Sequence, residues 1–224
     1  MNFFHFRYII HAEIRQNFNF LQFYMEGVKN ISEKKERQER QRYGRDKGTV
    51  VDHTYINSGE YRNKFDKISD NKDLNRLVYH LAKKMLNHRS GTQYEDMYWI
   101  DIDTLEIVAS ETDQRKEGSI KYSKRTKKVI KERRRLLTIH THPNSMPPSL
   151  ADIISAKIHR YVMGLVLCHN GKIFMYKTNW NISYYFYESK IAKYKQLGYD
   201  EFNYRLQALK ECEKQGNIMI KEVL

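Results

Sequence analysis

The chain has 224 residues, of which 40% are hydrophobic and 13% aromatic, so it is long enough for one α/β domain with an appendage. Its net charge of +13 favours anionic partners such as nucleic acid or an acidic protein. Its two cysteines, Cys168 and Cys212, argue against a disulfide framework and a cysteine zinc knuckle and favour a reducing, cytoplasmic location. No apolar run predicts a membrane span, and none is typical of a secretion signal.

The first 49 residues are predicted to be an extension outside the domain. Residues 1 to 27 place apolar side chains at helical spacing. Residues 29 to 47 carry charges of both signs and almost no apolar side chains, which is typical of an exposed helix or linker. We therefore expect a helical, charged extension over residues 1–49, a domain over 50–182, and C-terminal helices over 183–224 that pack on the domain.

The domain is predicted to begin its core with a helix and a hairpin. Asp70 or Asn71 can cap the helix, whose apolar positions follow i, i+3, i+4 and i+7 spacing as far as Met85. Two strands, Met97 to Ile102 and Leu105 to Ala109, come after the helix, and the two residues Asp103-Thr104 between them predict a hairpin.

The later elements predict a mixed sheet with helices on its faces. An Asn-Gly pair between two apolar runs is the strongest short-range hairpin signal in the chain. The predicted elements are a helix around Val129, strands over 136–139, 162–168 and 172–176, and helices over 149–161, 183–194 and 199–214. Helices and strands that alternate in this way indicate an α/β fold.

A concentrated basic run precedes the last part of the domain. Between Arg115 and Arg135 the chain has eleven basic residues and two acidic ones, and the run ends five residues before His140. One interpretation is a basic rim beside a cleft, which would attract an acidic substrate. The other is a solvated helix face and loop.

The densest chemical signal lies between His140 and Asp152, a segment that contains all three prolines of the chain. His140 and His142 are two residues apart on a predicted strand and therefore point to the same face. Asp152 is the candidate third ligand. Two nitrogens and one carboxylate oxygen suit Zn²⁺, although iron and manganese accept the same ligand types. Ser149-x-x-Asp152 also predicts a helix capping box, which would fix the direction of Asp152.

This segment resembles the JAMM motif of the MPN/JAB metallopeptidase family, in its prokaryotic or phage-type form: an upstream glutamate, His-x-His-Pro, then Ser-x-x-Asp. The resemblance implies that His140, His142 and Asp152 bind Zn²⁺ and that Ser149 steadies the tetrahedral intermediate. It implies a cytidine-deaminase-like three-layer α/β/α sandwich with a mixed sheet, and a JAB-type domain over 50–182. Six residues separate the second histidine from the serine here, where the family pattern has seven.

The upstream glutamate of that motif matches Glu95, which comes just before a predicted strand. Glu106 and Glu111 are the alternatives, since one lies in the predicted return strand and the other just beyond it. A carboxylate in this position would take a proton from the attacking water and later pass it to the leaving amine.

The expected function is that of a zinc-dependent metalloprotease or isopeptidase of JAMM type. It would hydrolyse an amide bond of a protein or peptide substrate, possibly an acidic one, through a zinc-bound water with Glu95 as general acid and base. The alternative is a basic nucleic-acid- or virion-associated binding protein that uses a JAB-like scaffold without turnover. A nucleobase deaminase is disfavoured because the Pro-Cys-x-x-Cys element of that chemistry is absent.

Overall fold

The computed structural model describes residues 46–133, 135–178 and 182–224. The extension predicted for the N-terminus lies outside the described residues, except for positions 46 to 49. The described residues cluster as one compact unit. No helix within the described ranges is both long and apolar enough to cross a bilayer.

Three α-helices precede the first strand. Each is capped by a residue whose side chain accepts hydrogen bonding from backbone N–H groups of the first turn. The predicted helix is confirmed, and Asn71 rather than Asp70 caps it by accepting from the backbone N–H groups of Asp73 and Leu74. The two shorter helices before it were not predicted. The bounds are α1 (His53–Ile56), α2 (Gly59–Phe65) and α3 (Lys72–Arg89).

Six strands form one mixed sheet in the order β2-β1-β3-β4-β5-β6. Only the central pair, β3 and β4, is parallel, and the other neighbours are antiparallel. The strands are β1 (Met97–Asp101), β2 (Ile107–Glu111), β3 (Leu136–His142), β4 (Met163–Cys168), β5 (Ile173–Thr178) and β6 (Ile218–Glu222). The prediction of an α/β fold with a mixed sheet is thereby confirmed.

Four further helices alternate with these strands. They are α4 (Lys124–Glu132), α5 (Leu150–His159), α6 (Tyr184–Gln196) and α7 (Glu201–Lys214). Each agrees with a predicted helix to within a few residues. The chain therefore has seven α-helices in the part that the structure describes.

Two separate hydrophobic clusters show that helices cover both faces of the sheet. Alternate residues of a strand point to opposite faces, and β3 follows this rule. Leu137 and Ile139 pack with the apolar side chains of α2 and α3, whereas Leu136 packs with those of α4, α5, α6 and α7. His140 and His142 alternate with the first pair, so they lie on the face of the second cluster.

Two strands differ from the prediction. The return strand of the first hairpin was expected over Leu105 to Ala109 but spans Ile107–Glu111. Asp101 accepts hydrogen bonds from the backbone N–H groups of Asp103 and Thr104, and Leu105 adopts a φ of 60°, so the turn is longer than a tight hairpin. The last strand, β6, was not predicted.

The parallel pair of strands, β3 and β4, determines where the residues of a functional site can come together. A parallel connection needs a crossover, and here α5 provides it between β3 and β4. The carboxyl end of β3 and the first turn of α5 are thus separated only by the proline-containing loop, residues 143 to 149. The segment with the JAMM-like spacing occupies this junction.

Candidate metal centre

The two histidines are buried near the carboxyl end of an internal strand. His140 and His142 have only 2% and 7% of their surface exposed. β3 pairs with β1 on one side and β4 on the other, so the strand backbone is fixed on both sides. Their Nε2 atoms lie 3.1 Å apart. The sequence prediction that both imidazoles reach one point therefore agrees with the geometry.

The loop after β3 orients the second imidazole. The Nδ1 atom of His142 lies 2.9 Å from the carbonyl oxygen of Met146, to which it can donate only as Nδ1–H. In the neutral ring that hydrogen bond leaves the lone pair on Nε2, the atom that faces His140, as metal-binding histidines require. The Sγ of Cys168 contacts the same carbonyl at 3.6 Å. This backbone acceptor was not predicted, and no side-chain motif could have indicated it.

Helix α5 supplies the carboxylate through its cap. The backbone N–H of Ser149 donates to the Asp152 carboxylate at 2.7 Å, the Ser149 hydroxyl contacts the same oxygen at 2.7 Å, and the N–H of Asp152 donates back to that hydroxyl at 3.2 Å. The predicted capping box is thus present. It holds Asp152 with its carboxylate directed toward the end of β3.

The three side chains form a small triangle of ligand atoms. One oxygen of Asp152 lies 3.2 Å from the Nε2 of His140, and the other lies 3.5 Å from the Nε2 of His142. Metal–ligand bonds of about 2.0–2.1 Å place the corners of a tetrahedron about 3.3 Å apart. The separations from the Nε2 of His140 to the Nε2 of His142 and to the nearer Asp152 oxygen, 3.1 and 3.2 Å, fit that value. In the described chain His140, His142 and Asp152 are the group that could hold a metal ion, with ligand atoms within 4.8 Å of one another.

Glu95 lies beside this triangle because of the strand register. Met97 of β1 pairs with His140, and the backbone N–H of Thr141 donates to the carbonyl of Asp96 at 3.1 Å. If this pairing is continued by one residue beyond Asp96 and Thr141, Glu95 lies opposite His142. Its side chain is then on the same face of the sheet as the two imidazoles. The charges of both imidazoles and of Asp152 act on its carboxyl group.

The four groups perturb one another strongly. Burial raises the pKa of Glu95, although the two imidazoles act to lower it. Burial also disfavours the charged forms of His142 and Asp152. The contact between the two side chains outweighs this effect, so both pKa values shift in the direction that favours the charged form. The pKa of His142 rises to about 9 through Asp152, Glu95 and the Met146 carbonyl, and the pKa of Asp152 falls well below its usual range through both imidazoles.

The alternative glutamates are engaged elsewhere. Glu106 is exposed and lies 3.8 Å from the guanidinium of Arg133. Glu111 accepts hydrogen bonds from the Ser123 N–H at 2.7 Å and the Thr126 hydroxyl at 2.6 Å, so it holds the first turn of α4. Of the three candidate glutamates, the structure brings Glu95 to the histidines.

A buried ion pair supports the segment that carries Glu95. Asp96, which is 1% exposed, contacts the guanidinium of the fully buried Arg89 and lies 2.8 Å from the Nδ1 of His88. Its N–H donates to the Thr141 hydroxyl at 2.9 Å. The sequence does not indicate these partners of Asp96 on α3, because they are set by tertiary packing.

Comparisons of the chain with protein-family models, with curated proteins and with solved structures gave no match. The chemistry of this site is therefore argued from its own residues and geometry.

Proposed function

We propose that this protein is a zinc-dependent hydrolase of amide bonds, a metalloprotease or isopeptidase of JAMM type. The observation that carries the proposal is the close approach of His140 Nε2, His142 Nε2 and the Asp152 carboxylate: the two nitrogens lie 3.1 Å apart, and each lies near a different carboxylate oxygen, at 3.2 and 3.5 Å. Two neutral nitrogens and one carboxylate oxygen are a zinc donor set that leaves a fourth position open, as catalytic rather than structural sites do.

The charge of the site also fits a divalent cation. Asp152 and Glu95 bring two carboxylates to the end of β3, and within the described ranges Asp152 forms ion pairs with the two imidazoles alone. When bound there, Zn²⁺ would supply Lewis acidity toward a carbonyl oxygen and would lower the pKa of water.

The side chains of the site divide the remaining work of hydrolysis. Glu95 would take a proton from the attacking water as its oxygen bonds to the amide carbon, and would pass that proton to the nitrogen as the C–N bond breaks. Burial raises the pKa of Glu95, which suits a group that must both accept and return a proton. Ser149 would donate its hydroxyl to the negative oxygen that develops on the substrate carbonyl.

The serine role has a structural condition. The Ser149 hydroxyl contacts the Asp152 carboxylate at 2.7 Å, so it must redirect its hydrogen to act on substrate. The N–H of the same residue also holds that carboxylate at 2.7 Å. The cap would thus keep Asp152 in place while the hydroxyl turns.

We extend the proposal to the fold type and the compartment. A mixed sheet with helices on both faces and a parallel central pair supports a cytidine-deaminase-like α/β/α sandwich. Cys168 and Cys212 are both free and buried, which suits a reducing cytoplasm. An experimental structure and the localisation of a tagged full-length chain test the two statements.

The central test combines metal analysis with single substitutions. The purified chain should contain about one zinc per molecule, and His142→Ala should contain almost none. Glu95→Gln should keep its zinc and lose turnover of peptide and isopeptide substrates. Glu106→Gln is the matched control, because it removes an exposed carboxylate of the same type, and it should retain activity. Full activity of Glu95→Gln, or a metal-free wild type, would contradict the proposal.

The same assay separates the binding alternative. A chain that keeps its zinc and binds nucleic acid, but cleaves no amide in a broad screen of peptide and isopeptide substrates, would match a JAB-like scaffold without turnover.

A further inference from the structure

The charge of the chain is concentrated beside the candidate site. Between Arg115 and Arg135 eleven basic residues minus two acidic ones give +9, out of +13 for the whole chain. The remaining sequence is therefore only weakly basic. We define the basic rim as the exposed cations of this run that precede or occupy the first turns of α4, namely Arg115, Lys116, Lys121, Lys124, Arg125, Lys127 and Lys128.

Strand register places the rim at the same end of the sheet as the metal centre. Met97 of β1 pairs with Glu111 of β2 on one side and with His140 of β3 on the other. Glu111 accepts hydrogen bonds from Ser123 and Thr126 in the cap and first turn of α4. The start of α4 thus lies two strands from the histidines, a separation of about 10 Å.

The loop before α4 approaches the site more closely. Glu117 pairs with Tyr94, the residue directly before Glu95, in an isolated antiparallel bridge. Gln114 closes the loop by hydrogen bonds with the backbone N–H and the carbonyl of Lys121. Arg115 and Lys116 are therefore carried on a segment that borders the candidate catalytic carboxylate.

A second contact ties the rim to α5. Tyr122 is half-buried, packs edge-on against Trp99 with ring centroids 5.0 Å apart, and its hydroxyl lies 2.9 Å from that of Ser155. Ser155 follows Asp152 by one turn of the same helix. The rim is thus attached to α5, which carries Asp152, through Ser155, and to the segment that carries Glu95 through Tyr94.

Most of the rim charge is not neutralised within the protein. Lys128 lies 4.0 Å from Glu132. Lys116, Lys121, Lys124, Arg125 and Lys127 have no ion pair within 4.0 Å among the described residues. Exposed cations held next to one another raise the local concentration of anionic ligands.

We propose that the basic rim selects amide substrates that carry a run of acidic side chains beside the cleaved bond. This inference rests on the proposed function. An extended peptide advances about 3.3 Å per residue, so a rim about 10 Å from the metal centre would meet acidic residues from about the third position onward.

An acidic peptide fits the rim better than single-stranded nucleic acid does. Sequence-tolerant binding of single strands uses exposed aromatic rings on which bases stack. The one aromatic residue between Arg115 and Lys128 is Tyr122, and its ring packs on Trp99. The rim offers charge without a stacking surface. The carboxylates of a flexible peptide need only the positive charge of the rim in order to bind.

The test measures binding without requiring turnover. The probes are two fluorescent peptides of about twelve residues, one alternating Gly and Glu and the other alternating Gly and Gln, at about 50 mM salt. The zinc-loaded Glu95→Gln chain is the host, so that cleavage cannot obscure binding. The Glu peptide should bind at least tenfold more tightly than the Gln peptide, and added salt should weaken it.

Matched charge reversals locate the effect. Lys124→Glu with Arg125→Glu should reduce affinity for the Glu peptide at least tenfold, with zinc content and thermal unfolding unchanged, because acidic residues suit the first turn of a helix. Lys210→Glu with Lys221→Glu changes the net charge equally on α7 and on β6 at the opposite sheet edge, and should change affinity less than twofold. Lys124→Gln with Arg125→Gln, which adds no negative charge, should give an intermediate loss.

Three results would overturn the inference: no binding of the Glu peptide, equal losses in the two charge-reversal pairs, or a short DNA duplex displacing the peptide at a lower concentration of negative charge. The last would identify the rim as a nucleic-acid surface. A purified chain without zinc would contradict the proposed function, while peptide binding could still be measured. Absence of rim binding would leave the zinc assay intact, so the two failures can be told apart.

Discussion

The two ends of strand β3 use carboxylates in opposite ways. Where β3 begins, Asp101 lies 3.0 Å from the guanidinium of Arg133, and Asp103 lies 2.9 Å from that of Arg135. An arginine is charged at every pH at which proteins fold. This end of the sheet is therefore permanently neutralised by its own side chains.

Where β3 finishes, the positive partners are exchangeable. Asp152 faces the imidazoles of His140 and His142, which carry charge only when protonated. No lysine or arginine of the described residues forms an ion pair with it. The carboxylates at this end can be neutralised by protons or by a metal ion, and the two alternatives exclude each other.

This difference in the positive partner distinguishes a carboxylate that only stabilises the fold from one whose partner a ligand can replace. A fixed arginine stabilises the fold whether or not a metal ion is present, so removing it should affect stability and leave metal affinity unchanged. An exchangeable cation links stability to metal concentration and pH. The predictions below test whether the two ends differ in this way.

Removal of metal should have the largest effect. A ligand present at a thousandfold excess over its Kd stabilises a protein by about 4 kcal/mol, which for a chain of this size corresponds to roughly 10 °C in Tm. EDTA should lower the Tm of the zinc-loaded protein by about this amount. His142→Ala should show no response to EDTA, whereas Asp101→Asn, at the other end of β3, should respond like wild type. A wild-type Tm that ignores EDTA would contradict the distinction.

The pH dependence of the metal-free protein should reveal the same exchange. The pKa of His142 is about 9 in the folded chain and about 6.5 when unfolded. A raised pKa contributes stability that is complete below about pH 6.5 and is lost as the pH rises through 9. The loss should amount to about 3 kcal/mol, read from urea unfolding of EDTA-treated protein at both ends of this range.

Zinc should reverse that trend, because the ion must displace the proton. Zinc affinity should rise about tenfold per pH unit up to about pH 9, measured by competition with a chelator. His142→Gln removes the titrating group, so its metal-free stability should vary much less over the same range. Parallel curves for this variant and wild type would show that His142 is not the proton carrier.

The sequence could predict the grouping of the candidate metal ligands because their geometry is local. His140 and His142 share a face by strand alternation, and Ser149 with Asp152 forms a capping box by helix geometry. Only the short loop between them is irregular. The loop, one residue shorter than the motif it resembles, still brings the carboxylate to the imidazoles.

The remaining parts of the site depend on contacts distant in sequence. Glu95 lies opposite His142 because β1 pairs with β3, and no local pattern distinguished it from Glu111, which holds the first turn of α4 instead. The Met146 carbonyl is backbone and has no sequence signal. Among the fold elements, β6 was missed although Ile218 and Ile220 alternate after Gly216, because a short strand at a chain end is a weak pattern.

The cap of α5 provides a smaller and more specific test. Ser149→Ala removes the hydroxyl from both the Asp152 N–H and the Asp152 carboxylate. It should cost about 1 kcal/mol in unfolding free energy and weaken zinc binding about tenfold, as loss of a group that orients a ligand does. Ser123→Ala is the matched control, since Ser123 caps α4 through the Thr126 N–H. It should cost similar stability and leave the zinc Kd unchanged, and equal zinc losses would refute a specific role for the α5 cap.

The smallest effects on stability and zinc affinity together should come from the start of β3, where Asp101 pairs with Arg133. Burial acts to raise the pKa of Asp101, but the N–H groups of Asp103 and Thr104 and the guanidinium of Arg133 lower it below its usual value. A lowered carboxyl pKa contributes stability above about pH 3.9 that disappears as the pH falls through the folded pKa. Asp101→Asn should therefore destabilise the protein by about 1 kcal/mol at pH 7 and by much less near pH 3.

The Arg133 side chain is 43% exposed, so solvent screens the ion pair and Arg133→Gln should cost only a few tenths of a kcal/mol. Urea unfolding at the two pH values measures both variants, and chelator competition should return the wild-type zinc affinity for each. A change in zinc affinity on altering either residue would mean that charge at the start of β3 reaches the metal centre at its far end. The separation of a structural end from a ligand-binding end would then fail.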